Sequence, residues 1–281
     1  MIYIKHLMTH RQLTNNRLVT RTLALITGAS SGIGLAYARA LAADCDFVLV
    51  ARRMDRLADL AGELRDAGAT ADLLSADLGT RAGVATVTDR LAAGDVRLLI
   101  SNAGAGGYAR LAEVDPVDVD RLLSLNGVAP IELVRAVLPG MLAANEGTII
   151  TVASLLAFSA AQTDGRFPRR TLYAAAKAAT VAFTRTLTVE LTGTAIRTQV
   201  VCPGMVATEF NEGAGLTAPF AMSAEGVVQA SLAGLRLGES ICIPGLEDQS
   251  TALGALVTAE TALIVGNRPV PATRYQQSGD S

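Results

Sequence analysis

The chain has 281 residues, 24 Lys and Arg against 26 Asp and Glu, a formal net charge of −2, half its residues hydrophobic and 4% aromatic. Without a concentrated basic face, no nucleic-acid partner is expected, and no apolar run is long and charge-free enough to read as a transmembrane segment. The length suits one α/β domain, and a composition led by Ala, Val, Leu and Gly suits strands buried on both faces of a parallel sheet.

Residues Met1 to Arg21 carry Lys5, Arg11, Arg17, Arg21, His6 and His10 but no acidic residue. They lack the continuous apolar core of a secretory signal and read as a flexible N-terminal extension of a cytoplasmic protein. No thiol or carboxylate partners the two histidines, so no metal is expected there. Cys45, Cys202 and Cys242 sit in apolar runs without a CxxC pair. They read as buried thiols in a reducing compartment, not as a metal site.

From Thr22 onward, short apolar runs alternate with Ala-rich stretches of helical spacing. The strand candidates are TLALIT (22–27), DFVLVA (46–51), ADLLSA (71–76), VRLLIS (96–101), GTIITVAS (147–154), IRTQVV (196–201) and ESICIP (239–244). Helices are predicted to begin near Gly32, Met54, Thr80, Pro116, Leu172 and Ser223. Such alternation means βαβ units with right-handed crossovers. The expected fold is α/β, a doubly wound parallel sheet (Rossmann fold) of about seven strands with helices on both faces. Residues 22–265 form one expected domain and residues 266–281 a loose tail.

The first strand runs into Thr27-Gly28-Ala29-Ser30-Ser31-Gly32-Ile33-Gly34, and a helix follows. Gly28 permits a tight turn, Gly32 close approach of a pyrophosphate, and Gly34 tight packing of helix on sheet. The uncommitted N–H groups and positive dipole end at the helix start attract phosphate. The second strand ends at Ala51, where an NAD site places a carboxylate, and Arg52-Arg53 follow. A guanidinium suits a ribose 2′-phosphate. Arg52 is best placed for it, with Arg53, Ser30 and Ser31 assisting, so NADP(H) is preferred and NAD(H) is the second cofactor option. The alternative is that both arginines merely start the next helix in solvent. Asp77, ahead of Leu78, reads from the residues alone as an N-cap.

In Tyr173-Ala174-Ala175-Ala176-Lys177, a phenol and an ammonium stand at i and i+4 on one helix face. The ammonium is expected to stabilise phenolate and lower the phenol's pKa, which makes Tyr173 a general acid and base. Ser154 ends the fifth strand, where a hydroxyl can hold a developing alkoxide or merely satisfy nearby backbone. Asn126 lies in a helical stretch beside Gly127 and Pro130, at a natural helix irregularity. Pro203-Gly204 forces a sharp turn.

The GxxxGxG spacing preceded by Thr27, with the motifs after it in order from Thr22 to Gly245, resembles the short-chain dehydrogenase/reductase family, in its compact single-domain, bacterial-type branch. The resemblance implies that Asp77 with Leu78 meets the adenine and that Asn102-Ala103-Gly104 closes the adenine-ribose side. It implies that Ser154 holds the substrate oxygen, that Lys177 binds the nicotinamide ribose, and that Asn126 distorts its helix and holds a relay water. Pro203, Gly204, Val206 and Thr208 are implied to bend around the nicotinamide carboxamide. It also implies a homodimer or homotetramer through Pro116 to Ala144 and Leu172 to Leu191, and a short helical tail after Gly245.

Two stretches depart from the pattern. Residues 163–170 are extra, and Arg166, Arg169 and Arg170 there either attract an anionic substrate or coat a solvated loop. Residues 209–222, EFNEGAGLTAPFAM, read as an apolar, glycine-rich substrate lid. The resulting expectation is an oxidoreductase moving a hydride between NADP(H) and a small carbonyl or alcohol substrate, apolar or anionic, in the reductive direction. The alternative is a catalytically silent NADP(H)-binding sensor. A sugar epimerase would need a larger C-terminal domain than remains here.

Overall fold

The computed structural model describes residues 21–163, 165, 167–210 and 212–275. The chain divides into two compact units, residues 1–244 and 245–281. The first is a seven-stranded sheet of β1 (Thr22–Thr27), β2 (Cys45–Ala51), β3 (Ala71–Ser75), β4 (Leu98–Ser101), β5 (Gly147–Val152), β6 (Ile196–Val201) and β7 (Ile241–Cys242), in the order β3-β2-β1-β4-β5-β6-β7. Every ladder is parallel, with Ala24, Leu25 and Ile26 of β1 opposite Leu98, Leu99 and Ile100 of β4.

Strand residues alternate between two cores, as the two-residue period of a pleated strand demands. Ala24 and Ile26 join Phe47, Leu49, Ile100 and Val201 under α1 (Gly32–Leu41), α2 (Met54–Asp66) and α7 (Ala224–Leu237). Leu25 joins Val48, Val50, Leu99 and Ile149 under α3 (Arg81–Leu91), α5 (Ala129–Ala144) and α6 (Thr171–Glu190). The sheet is thus covered on both faces. Its strand order reverses between β1 and β4, which opens a crevice at their C-terminal ends.

Four strands are shorter than their apolar runs, β3 by the single residue Ala76. β4 proper begins at Leu98, although the Arg97 backbone still donates to the Leu23 carbonyl at 3.0 Å and accepts from Thr148 N at 2.9 Å, while its guanidinium turns back onto the Gly94 and Val96 carbonyls. β5 stops at Val152, and Ser154 instead caps a 3-10 turn at Leu155–Phe158. β7, at the sheet edge, keeps only Ile241–Cys242, before Pro244, which has no N–H to give a ladder.

The stretch from Pro116 is α4 (Pro116–Leu123), a π turn at Ser124–Val128, and α5. Together these are long and apolar enough to cross a membrane by length and composition alone. Their Leu125, Leu133, Val134, Val137 and Met141 are instead buried in the second core. Cys45, Cys202 and Cys242 are free and buried, and burial pushes each thiol up to about 12. Arg21 binds the carbonyls of Ala42, Ala43 and Cys45 and pairs with Asp46 at 3.3 Å, so it is tied to the sheet domain.

The second unit holds α8 (Gln249–Val265), a helix of 17 residues capped by Asp248. The tail expected after Gly245 is helical, as the resemblance implied, and runs to 17 residues. Nothing in the run QSTALGALVTAETALIV breaks it before Gly266, and none of its residues is buried.

Candidate active site

The site begins with Thr27, fully buried at the end of β1. Its Oγ1 accepts from the backbone N–H of Asn102 at 2.9 Å and of Ala103 at 3.0 Å, which fastens the end of β4 to β1. The Asn102 amide donates to the Thr27 carbonyl at 2.9 Å. Gly28 and Gly32 have φ of 67° and 57°, a left-handed conformation that suits glycine. A Cβ on Gly28 would lie 2.8 Å from Asn102 Nδ2, and one on Gly32 would lie 3.1 Å from Thr208.

The N-cap of α1 is Ser31, yet its hydroxyl makes no capping bond; it accepts from Arg53 instead. The first N–H groups of α1, including those of Ile33 and Gly34, therefore lack a side-chain cap and face the crevice end of the sheet. This turn fits a dinucleotide pyrophosphate: backbone donors stand at a dipole's positive end, and glycines carry no side chain of their own into the approach.

Arg53, the residue before α2, carries its guanidinium to Ser30 Oγ at 3.0 Å and Ser31 Oγ at 2.7 Å. Arg52 turns away, 63% exposed, with Nη1 4.0 Å from Asp77 Oδ2. Of the two arginines after β2, Arg53 is thus the one bonded to the phosphate turn, and Arg52 lies beside Asp77. The N-cap reading of Asp77 is corrected: Thr80 caps α3 through Gly83 N, while Asp77 Oδ1 accepts from Gly79 N at 3.0 Å. Leu78 is buried in the second core, so only its backbone can face a ligand.

The π turn buries Asn126 completely. Its amide donates to the Leu122 and Ala105 carbonyls at 3.2 and 3.0 Å and its Oδ1 accepts from Ala105 N at 3.2 Å. The Asn126 carbonyl accepts from Thr180 Oγ1 of α6 at 3.0 Å. Gly104 lies between two of the key groups: a Cβ there would meet Asn126 Oδ1 at 2.8 Å and Lys177 Nζ at 3.5 Å.

Tyr173 and Lys177 share the buried face of α6. Lys177 Nζ donates to the Val152 carbonyl at 2.9 Å and stands 5.9 Å from the centre of the Tyr173 ring. Burial pushes this ammonium down to about 8, against a small opposing effect from Cys202. The expected lowering of the phenol is not what the structure shows. Burial raises Tyr173 well above the ordinary phenol range, and Tyr108 adds to this, while a hydrogen bond from Ser154 works the other way. Desolvation of a phenolate outweighs an amine that is itself desolvated and turned toward Val152. Tyr173 therefore holds its proton at neutral pH. Ser154 Oγ also accepts from Leu156 N at 3.1 Å, so it both caps the turn and meets the phenol.

Pro203, buried, accepts from Leu155 N at 2.8 Å, tying its bend to the Ser154 turn, while Gly204 is exposed. Val206 bridges Met222, and Thr208 Oγ1 accepts from Phe210 N at 3.3 Å. These contacts close the segment between Val206 and Met222 into a loop. It lays Phe210 against Tyr173, with ring centres 6.1 Å apart. In the extra stretch, Arg170 donates to Ser159 Oγ and to the carbonyls of Ser159, Gln162 and Pro168, and stacks over Phe167. Its charge braces the loop. Arg169 is exposed, and Arg166 lies outside the described residues.

Three residues of this site carry no motif in the sequence: Tyr108, whose ring meets Tyr173, and the ion pair of Glu209 with Arg56. His6 and His10 lie outside the described residues, among which no group of three or more His, Cys, Asp or Glu side chains is placed to hold a metal.

The family model for short chain dehydrogenases matches residues 22–217, and the chain belongs to this family of oxidoreductases. It is 34% identical to a short-chain dehydrogenase from Sphingobium yanoikuyae solved in complex with NADPH. That match covers 90% of this chain and 100% of the other, with a TM-score of 0.84. It is 32% identical to a bulky-bulky ketone specific alcohol dehydrogenase from Comamonas testosteroni, over 91% and 99% of the two chains, with a TM-score of 0.82. A short chain dehydrogenase of Pseudocercospora fijiensis is 34% identical over 192 residues, which is 66% of this chain but only 60% of that protein's length.

Proposed function

We propose that this protein is an NADP(H)-dependent carbonyl reductase acting on ketones or aldehydes with apolar bulk. The observation that carries the reading is the meeting of Ser154 with a buried, protonated Tyr173, beside Lys177 and across Gly104 from Asn126.

NADPH, when bound, supplies the hydride. Gly28, Gly32, Ile33 and Gly34 would hold its pyrophosphate, Asp77 and the Leu78 backbone its adenine, and Asn102-Ala103-Gly104 the adenine-ribose side. Pro203, Gly204, Val206 and Thr208 would bend around its carboxamide. Ser154 holds the carbonyl oxygen by donating to it, and Tyr173 gives its proton to that oxygen as negative charge develops there. Lys177 would bind the ribose hydroxyls. Asn126 and Lys177, with the gap that Gly104 leaves between them, form the path by which the phenol recovers a proton. Arg53 with Ser30 and Ser31, and the lack of a carboxylate at Ala51, support NADP(H) over NAD(H). Tyr108 and Phe210 support an apolar substrate, in keeping with the ketone specificity named for the Comamonas enzyme. Exposed Val117, Ile131, Leu142 and Val189 on α4, α5 and α6 support assembly into a homodimer or homotetramer, and a cytoplasmic location agrees with a nicotinamide-dependent reductase.

The test is titration of purified protein with NADPH and NADH, then loss of the nicotinamide absorbance against a panel of ketones and aldehydes. Tight NADPH binding is expected, with turnover abolished in Tyr173→Phe. Binding without turnover across the panel would favour a cofactor sensor.

A further inference from the structure

We propose that Glu209 is a specificity-determining residue of the dinucleotide site: its carboxylate holds the guanidinium groups of Arg53 and Arg56, which a ribose 2′-phosphate would otherwise take. Arg53 Nη1 lies 2.9 Å from Glu209 Oε2, and Arg56 Nη1 lies 2.9 and 2.7 Å from Oε1 and Oε2. Arg53 is at the same time bonded to Ser30 and Ser31 of the phosphate turn. Two cations and two hydroxyls thus converge just past the end of β2, with a carboxylate from the lid on the cations. The inference rests on the NADP(H) reading above and adds Arg56 and Glu209 to it.

The three side chains are 40%, 41% and 49% exposed, and exposed ion pairs are weak and exchange readily. A phosphate dianion binds guanidinium more strongly than a carboxylate does, because it offers more charge and more acceptor oxygens. A 2′-phosphate therefore displaces Glu209, and part of its binding energy is lost in doing so. A 2′-hydroxyl leaves Glu209 in place and the arginines neutralised. The residue thus weakens NADP(H) binding while sparing NAD(H), which narrows the gap between the two cofactors.

The experiment is calorimetric titration of wild type, Glu209→Gln and Arg56→Ala with NADP+, NAD+ and 2′,5′-ADP at low and moderate salt. Glu209→Gln is expected to tighten NADP+ and 2′,5′-ADP by about threefold to tenfold and to leave NAD+ within about twofold, the gain shrinking as salt screens the pair. Arg56→Ala is expected to weaken NADP+ and spare NAD+. An unchanged NADP+ to NAD+ affinity ratio in Glu209→Gln, with wild type still binding NADP+, overturns this inference alone. Failure of folded wild type to bind either dinucleotide overturns the cofactor reading and the inference together.

Discussion

Tyr108 meets Tyr173 edge-on, with ring centres 5.3 Å apart and planes at 71°. The contact favours the neutral phenol, since the hydrogen bond with Tyr108 and its proximity both push Tyr173 upward, behind the larger effect of burial. Tyr108 itself comes from the irregular segment after β4.

Removing only the Tyr108 hydroxyl should therefore ease ionisation of Tyr173. In Tyr108→Phe the ring contact stays and burial still dominates, but both influences of the Tyr108 hydroxyl that raise the phenol are gone. A reduction that needs the protonated phenol should lose activity at lower pH than wild type, with kcat/KM down about threefold to tenfold on the alkaline limb and little changed at neutral pH. The pH profile of kcat/KM checks this, and a limb displaced to higher pH contradicts it.

Lys177 gives a second pH-dependent outcome. Its ammonium sits at about 8 in the folded protein, against about 10.4 in an unfolded chain. Between those values the unfolded chain binds more protons, so the cost of burying this lysine is fully present at neutral pH and fades as pH rises through that window. Lys177→Met removes the cost at every pH. At pH 7 the variant should be more stable by on the order of 2 kcal/mol, once the lost hydrogen bond to Val152 is set against the gain. The margin should narrow toward pH 10. Thermal melts across this range decide it; a margin that widens with pH rules the account out.

A third outcome concerns only the scaffold. The Tyr37 hydroxyl donates to Ser231 Oγ at 2.6 Å, and Ser231 Oγ donates to Gln199 Oε1 at 2.6 Å, all three residues fully buried. This chain links α1, α7 and β6. Ser231→Ala leaves two buried polar groups unpaired, at a cost of about 2 kcal/mol and roughly 4–8 °C in Tm. Nucleotide affinity of the folded protein should not change. Denaturation and titration of the one variant test both halves.

The sheet was readable from sequence because a buried parallel strand must be a short apolar run between helices, and 22–27 and 196–201 match β1 and β6 to the residue. Strand ends were less readable, since Ser154 leaves the ladder to cap the turn after β5 by a local hydrogen bond that no periodicity encodes. The spacing of Tyr173 and Lys177 put both on one face of α6, but it could not show that burial would outweigh the charge between them. The choice between Arg52 and Arg53 depends on how the chain turns out of β2. Tyr108, Arg56 and Glu209 are brought together by loops and a helix face distant in sequence, so nothing local marks them.

The fastening of Thr27 to Asn102 and Ala103 spans 75 and 76 residues of chain. In a sheet with only parallel ladders no hairpin can form early, and each pairing waits for a crossover to close. The phosphate turn precedes Asn102 in the chain, yet its shape depends on that later-made residue. Nucleotide can therefore stabilise only chains that have already brought β4 against β1, so during biosynthesis the cofactor acts as a late check on folding, not as a template for it.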